Sequence, residues 1–214
     1  MCQRAYTEYN SIMNDIDTSP KQEIPAEQKP SSSFWKEFFK FIVTAAIIVV
    51  PIRMFVVHPF VVNGASMDPT FETGQYLIVD QLSYRFGEPD RGDVIILKYP
   101  REPRTFFIKR IIGLPGETVE IKNGNVTIKS PENPAGFALS EPYIFADNKG
   151  DDSFESTLGR DEYFVMGDNR VQSSDSRAWG ALPRDLIVGR PLIRLFPVGS
   201  LSVFPGADSV EEAN

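Results

Sequence analysis

Ser66 stands in the run Gly64-Ala65-Ser66-Met67-Asp68-Pro69-Thr70, and Lys109 in Phe106-Phe107-Ile108-Lys109-Arg110-Ile111-Ile112. A serine hydroxyl becomes a nucleophile when a base takes its proton, and a lysine can be that base only while its amine is neutral. At the ordinary lysine pKa near 10.4, roughly one molecule in two thousand is neutral at pH 7. An apolar setting must lower the value to about 7 or 8, which takes roughly 3 to 5 kcal/mol of differential desolvation. On a strand, Phe107, Lys109 and Ile111 share one face while Phe106, Ile108, Arg110 and Ile112 share the other, so Lys109 has apolar neighbours on its own side. Lys98, in Ile95-Ile96-Leu97-Lys98-Tyr99, has a similar local setting. Lysines on edge strands also serve, with the amine in water, to block edge-to-edge pairing. Apolar context alone therefore does not choose between the two.

Other chemistries lack their parts. The chain has one histidine, His58, and one cysteine, Cys2. His58 lies beside Pro59 at the end of an apolar run and reads as an interfacial histidine, whereas a Ser-His-Asp triad needs an imidazole over the nucleophile. Cys2 lies in a polar tail, which disfavours a cysteine nucleophile, a disulfide and a structural zinc site. Asp147, Asp151 and Asp152 lack the spacing of a calcium-binding EF-hand loop and read as a solvated loop. Oxygen-only metal sites stay open on composition, but no metal or cofactor is expected. The net charge of −7 comes from 29 acidic against 22 basic residues, without a dense basic cluster, so nucleic acid is not an expected partner.

The elements that must position Ser66 and Lys109 follow from composition. Residues 1–33, rich in Ser, Pro, Gln and charge, read as a disordered tail. Residues 34–60 read as a transmembrane helix with its flanks. The charge-free run Phe41–Ile52 is too short for a ~30 Å hydrocarbon core at roughly 1.5 Å per residue. Extending the segment from Phe38 to Val57 gives 20 residues, 13 of them Ile, Phe or Val. Those contribute roughly −4 to −8 kcal/mol against about +3 for Arg53, which can snorkel toward the headgroups, as Lys40 can at the other end. Lys29, Lys36 and Lys40 precede or open the segment, and no Lys or Arg occurs from His58 to Tyr84. The positive-inside rule then puts the tail in the cytoplasm and the rest beyond the membrane.

Residues 61–205 read as a mainly antiparallel β domain. The expected strands are Tyr76 to Asp80, Val94 to Tyr99, Thr105 to Ile112, Thr118 to Lys122, Asn125 to Ile128, Tyr163 to Met166 and Leu192 to Phe196. Turn signals include Leu-Pro-Gly at 114–116 and Asn123-Gly124, a hairpin signature. Residues 130–161, rich in Pro, Gly, Asn and Asp, read as an insertion or lid, and 206–214 as a flexible end.

Four boxes in order carry a family resemblance: Ser-Met-x-Pro-Thr at 66–70, Arg-Gly-Asp-Val at 91–94, Lys-Arg-Ile-Ile-Gly-Leu-Pro-Gly-Glu at 109–117 and Gly-Asp-Asn-Arg-x-x-Ser-x-Asp-Ser-Arg at 167–177. Together with the apolar segment, the chain from about Phe34 to Phe196 resembles the type I signal peptidases. The resemblance settles the choice of lysine. It implies that Ser66 attacks the scissile carbonyl, that Lys109 is the general base, and that the Ser173 hydroxyl orients the lysine. It also implies that Asp168, Arg170, Asp175 and Arg177 brace the site, and that Phe60, Val62, Phe107 and Ile108 line pockets for the small-x-small pattern before a secretory cleavage site. The Ser66 N–H is the natural first oxyanion donor. Gly64 stands where some members of the family carry a serine hydroxyl as the second. The implied partners are preprotein signal peptides and the lipid bilayer, with the protein acting as a monomer in the plasma membrane or an internal membrane such as a thylakoid. A self-cleaving serine/lysine regulator, and a catalytically silent anchored β domain that binds extended peptides, are the competing readings.

Overall fold

The computed structural model describes residues 32–55, 57–207 and 211–212. Cys2 and nearly all of the expected tail lie outside them. The chain divides into two compact units, Met1–Ala46 and Ile47–Asn214.

Helix α1 runs from Ser32 to Phe55. Among the described residues no helix is long and apolar enough to cross a membrane. The helical span expected over 34–60 is thus not shown, and the charge pattern of the segment gives the reason. Lys36, Glu37 and Lys40 occupy the first turns and Arg53 the last, leaving twelve uncharged residues between them, about 18 Å of helix. The expected span also ran too far. The helix ends at Phe55, and Val57–Val61 is strand β1, in which His58 pairs with Val79; Pro59 has no N–H with which to continue a helix. Within α1, Trp35, Phe39, Phe41 and Ile47 are each more than half exposed.

The second unit is built from antiparallel sheets. The larger has eight strands in the order β1, β2 (Tyr76–Asp80), β11 (Ile187–Phe196), β3 (Val94–Tyr99), β4 (Glu102–Gly113), β9 (Glu162–Met166) and β10 (Leu182–Pro183), with β12 (Ser202–Val203) paired to β11. The smaller has five, in the order β13 (Glu211–Glu212), β7 (Phe137–Ser140), β6 (Asn125–Lys129), β5 (Thr118–Lys122) and β8 (Phe154–Thr157). Residues 130–161 thus contribute β7 and β8 to the smaller sheet, on either side of the β5–β6 hairpin. Alternating burial in β2, β5 and β6 puts one face of each on a core. Met67, Phe71, Leu77, Val79 and Ile96 form one such core, and Ile95, Leu97, Ile111 and Val165 another on the opposite face of β3 and β4.

Two features of the larger sheet prepare a site. Strand β4 pairs with β3 along most of its length, but β9 meets it only from Arg110 to Gly113, so the half before Lys109 has an unpaired edge. Strand β1 ends the sheet with only β2 beside it. The two free edges approach where Phe60 meets Phe106 edge-on, ring centroids 5.4 Å apart.

Candidate active site

After β1 the chain makes a turn that carries Ser66. Met67 and Phe71, fully buried, pin this turn to the core. Lys109 lies on β4 opposite Ile95. Its Nζ donates to Ser66 Oγ at 2.8 Å and to the Ile108 carbonyl oxygen at 2.8 Å. The residue is 3% exposed. Burial lowers its pKa to about 8, against the opposing pull of the Asp175 and Asp168 carboxylates. Lys98, whose local sequence looked alike, is exposed. Burial therefore separates the two lysines that the pattern left equal.

The segment Gly167–Arg177 packs behind the turn. The Asn169 N–H donates to the Ser66 carbonyl oxygen at 3.1 Å. Asp168 accepts from Arg110 Nε and Nη2 at 2.9 and 2.7 Å and from Thr70 Oγ1 at 2.6 Å. Both members of the Arg110–Asp168 pair are essentially out of water. Arg170 donates to the Gly167 carbonyl and pairs with Glu141. Asp175 accepts from the Gly167 N–H and from Arg177 Nε and Nη2. Burial pushes the Asp175 carboxyl up, but the hydrogen bond and charge of Arg177 outweigh it and hold the group below the usual carboxylate range. Arg177 also donates to the Arg170 carbonyl and pairs with Asp152. Asp168, Arg170, Asp175 and Arg177 thus stand behind the dyad, bonded to one another's segments and to the turn.

No hydrogen bond joins Ser173 Oγ to Lys109 among the described residues. The Ser173 Oγ is buried, and this hydroxyl helps to hold the Asp175 carboxyl low. The acceptor that orients the amine besides Ser66 is the Ile108 carbonyl.

Phe60, Val62, Phe107 and Ile108 do come together, lining one cleft with Ser66 and Lys109. Its volume is about 90 Å³, far below the roughly 300 Å³ at which pockets for drug-sized ligands begin. Small side chains fit such a space. Val62 and Ile108 are at once lining and core. At the turn, the Ser66 N–H meets no protein acceptor among the described residues. Gly64 has φ +104, and nothing lies within 4 Å of where a Cβ would point. That backbone conformation strains any residue with a side chain, so a serine hydroxyl is not readily supplied from this position. The Gly64 N–H is occupied by Thr73 Oγ1 at 3.0 Å.

Sequence reasoning missed several parts of the site. The Arg110 guanidinium carbon lies over the Tyr143 ring, 3.9 Å from the ring centroid. Asn148 Nδ2 donates to the Asp68 carbonyl at 3.2 Å, and Arg194 Nη2 to the Thr70 carbonyl at 2.7 Å. The one available signal was the apolar trio Tyr143-Ile144-Phe145 inside an otherwise polar segment. No group of three or more His, Cys, Asp or Glu side chains that could hold a metal ion occurs among the described residues.

Residues 35–196 match the family model described as signal peptidase, peptidase S26. The chain is 35% identical over 188 residues to a probable signal peptidase I-2 of Synechocystis sp., covering 85% of this chain and 80% of that protein. It is 35% identical over 203 residues to a signal peptidase I of Leptolyngbya laminosa, covering 88% and 96%. With a signal peptidase I P of Bacillus subtilis subsp. natto, identity is 38% over 175 residues, covering 77% and 90%. A crystal structure titled as a signal peptidase I from Enterococcus faecalis is 32% identical, covering 49% of this chain and 97% of that one, with a TM-score of 0.41.

Proposed function

Because the chain belongs to the type I signal peptidases of the peptidase S26 family, we propose that Ser66 and Lys109 carry the chemistry by which it removes signal peptides from preproteins. The observation that carries this assignment is a water-excluded amine 2.8 Å from a serine hydroxyl. In its neutral form Lys109 takes the proton of Ser66 Oγ while Oγ bonds to the scissile carbonyl carbon, and the carbonyl oxygen becomes an oxyanion facing the Ser66 N–H. The Lys109 ammonium then returns the proton to the leaving nitrogen as the C–N bond breaks. The mature protein departs and the signal peptide remains as an ester on Ser66. Water, deprotonated in turn by Lys109, hydrolyses that ester and frees the signal peptide's carboxylate.

Substrate lies extended between β1 and the unpaired half of β4, adding main-chain hydrogen bonds to both edges. The small cleft receives the small side chains that precede the scissile bond. Selectivity for small-x-small sequences is thus an effect of volume.

Membrane attachment through α1 and its flanks belongs to the same proposal. Its exposed Trp35, Phe39, Phe41 and Ile47 form an apolar surface that lipid would cover, and anchoring to the surface that holds the precursor raises effective concentration. The lysine-bearing start of the segment faces the cytoplasm and the β unit the opposite side, in a protein that works as a monomer.

The test compares wild type, Ser66→Ala and Lys109→Met, full-length in detergent, on a labelled preprotein. Both variants should remain folded and lose cleavage. Turnover retained by either one removes that residue from the mechanism.

A further inference from the structure

The C-terminal segment 202–207 lies beyond the residues matched by the family model, which end at 196, yet it reaches the parts that hold Ser66. Ser202 and Val203 pair with Arg194 and Ile193 of β11. The Phe204 N–H donates to the Leu192 carbonyl at 2.8 Å, and the Arg190 guanidinium lies over the Phe204 ring at 5.3 Å. Pro205 is buried. The Gly206 carbonyl then accepts from Arg110 Nη1 at 2.8 Å.

Arg110 is fully buried. Nη1 is shared between the Gly92 and Gly206 carbonyls, while Nε and Nη2 grip Asp168. Asp168 in turn holds Thr70, four residues after Ser66. A second route is steric. Gly206 has φ +79, and a Cβ there would stand 2.9 Å from Phe71 Cε2 and 3.0 Å from Val94 Cγ2. Phe71 is the fully buried side chain that closes the same turn. The segment therefore touches the turn by a polar chain, Gly206 to Arg110 to Asp168 to Thr70, and by direct packing of Gly206 on Phe71.

We propose that residues 202–207 form a strap that positions the catalytic turn, with the Gly206 carbonyl fixing Arg110 and the bare Gly206 Cα admitting Phe71. The proposal rests on the reading of Ser66 as nucleophile. It makes Gly206 a positioning residue, since it touches neither substrate nor the reacting atoms.

The experiment uses the full-length chain in detergent, a chain stopped after Ala207, a chain stopped after Val203, and full-length Gly206→Ala. For each, kcat and KM on a labelled preprotein, the pH dependence of kcat/KM and the melting temperature are measured. The chain ending at Ala207 should keep kcat within about twofold. The chain ending at Val203 should lose roughly ten- to a hundredfold in kcat with little change in KM, the scale expected when a reacting group is displaced by a fraction of an ångström to an ångström. Its acid limb should also move to higher pH, because an Arg110 with a lost anchor leaves more of the Asp168 charge acting on Lys109. Gly206→Ala should shift kcat and the acid limb in the same direction by a smaller amount. The proposal is overturned if kcat and the pH profile of both altered chains match wild type, or if kcat falls only alongside the melting temperature with the pH profile unmoved. Should the Val203 chain not fold, Gly206→Ala decides by the same two readouts. Failure of the nucleophile assignment would be visible separately, as cleavage by an otherwise wild-type Ser66→Ala protein.

Discussion

Replacing Lys109 by Met should make the protein inactive and, at neutral pH, more stable. The lysine's pKa falls from 10.5 to about 8 because burial penalises the ammonium. A shift of that size corresponds to about 3 kcal/mol of destabilisation at about 1.4 kcal/mol per pH unit. Below pH 8 both folded and unfolded chains hold the proton, and the folded state carries the whole penalty. Between pH 8 and 10.5 the unfolded chain binds more protons, so wild-type stability rises with pH; above 10.5 the penalty is gone. Met has a similar length and no charge to desolvate, but the bonds to Ser66 Oγ and the Ile108 carbonyl are lost, at about 0.5 to 1.5 kcal/mol each. The net expectation is a variant about 1 to 2 kcal/mol more stable than wild type at pH 6, an advantage that vanishes or reverses by pH 10.5. Denaturant unfolding of both proteins in detergent across that range measures it. For a chain of this size the gain at pH 6 corresponds to a melting temperature higher by roughly 2 to 8 °C. A variant no more stable at pH 6, or a difference that stays constant from pH 6 to 10.5, would refute the account of a desolvated amine.

The same pKa sets the activity profile: kcat/KM should rise with pH through an apparent value of about 8, and a rate still climbing at pH 10 would contradict burial of the amine. Asp168→Ala should cost about 3 to 5 kcal/mol, since it leaves the Arg110 guanidinium buried without its carboxylate; a loss under 1 kcal/mol in urea unfolding would show that the pair braces nothing. Val62→Phe, which fills the cleft of about 90 Å³, should lower kcat/KM at least tenfold for a substrate with alanine before the scissile bond, and an unchanged value would place the small-residue pocket elsewhere.

Some strands were legible in the sequence: β2 and β5, which alternate cleanly, and β3, a short continuous apolar run, fall where the pattern put them. Strand β1 was hidden because Val57–Val61 continues the apolar run of α1 without a break in composition, and only Pro59 hinted at the change. Strands β7 and β8 are four residues each and sit among Pro, Gly and Asp, so the turn signals around them drowned a short period-two pattern. The lysine could not be chosen locally for a related reason. Lys98 pairs across to Phe106 at the open rim, whereas Lys109 lies opposite Ile95 beneath the Gly167–Arg177 segment. That covering segment lies almost sixty residues further along the chain, a distance no local window spans. Ser173, named through resemblance, makes no bond to Lys109 among the described residues, and the Ile108 carbonyl, a backbone group with no signature, accepts from the amine instead.

Lys109 and Arg110 are adjacent cations on opposite faces of one strand, and their different fates explain why the first can be a base. Two carboxylates near the lysine, Asp175 and Asp168, both act to raise its pKa and would keep it charged if they were free to pair with it. Neither is. Arg110 takes both oxygens of Asp168, and Arg177 takes both of Asp175. A guanidinium cannot lose its proton at physiological pH and matches a carboxylate with two bonds at once, so it outcompetes an ammonium for the same partner. With the acids held elsewhere, desolvation is the largest influence left on Lys109. The arginine-acid pairs behind the turn therefore act on the chemistry as well as on stability, by withholding negative charge from an amine that must be neutral to work.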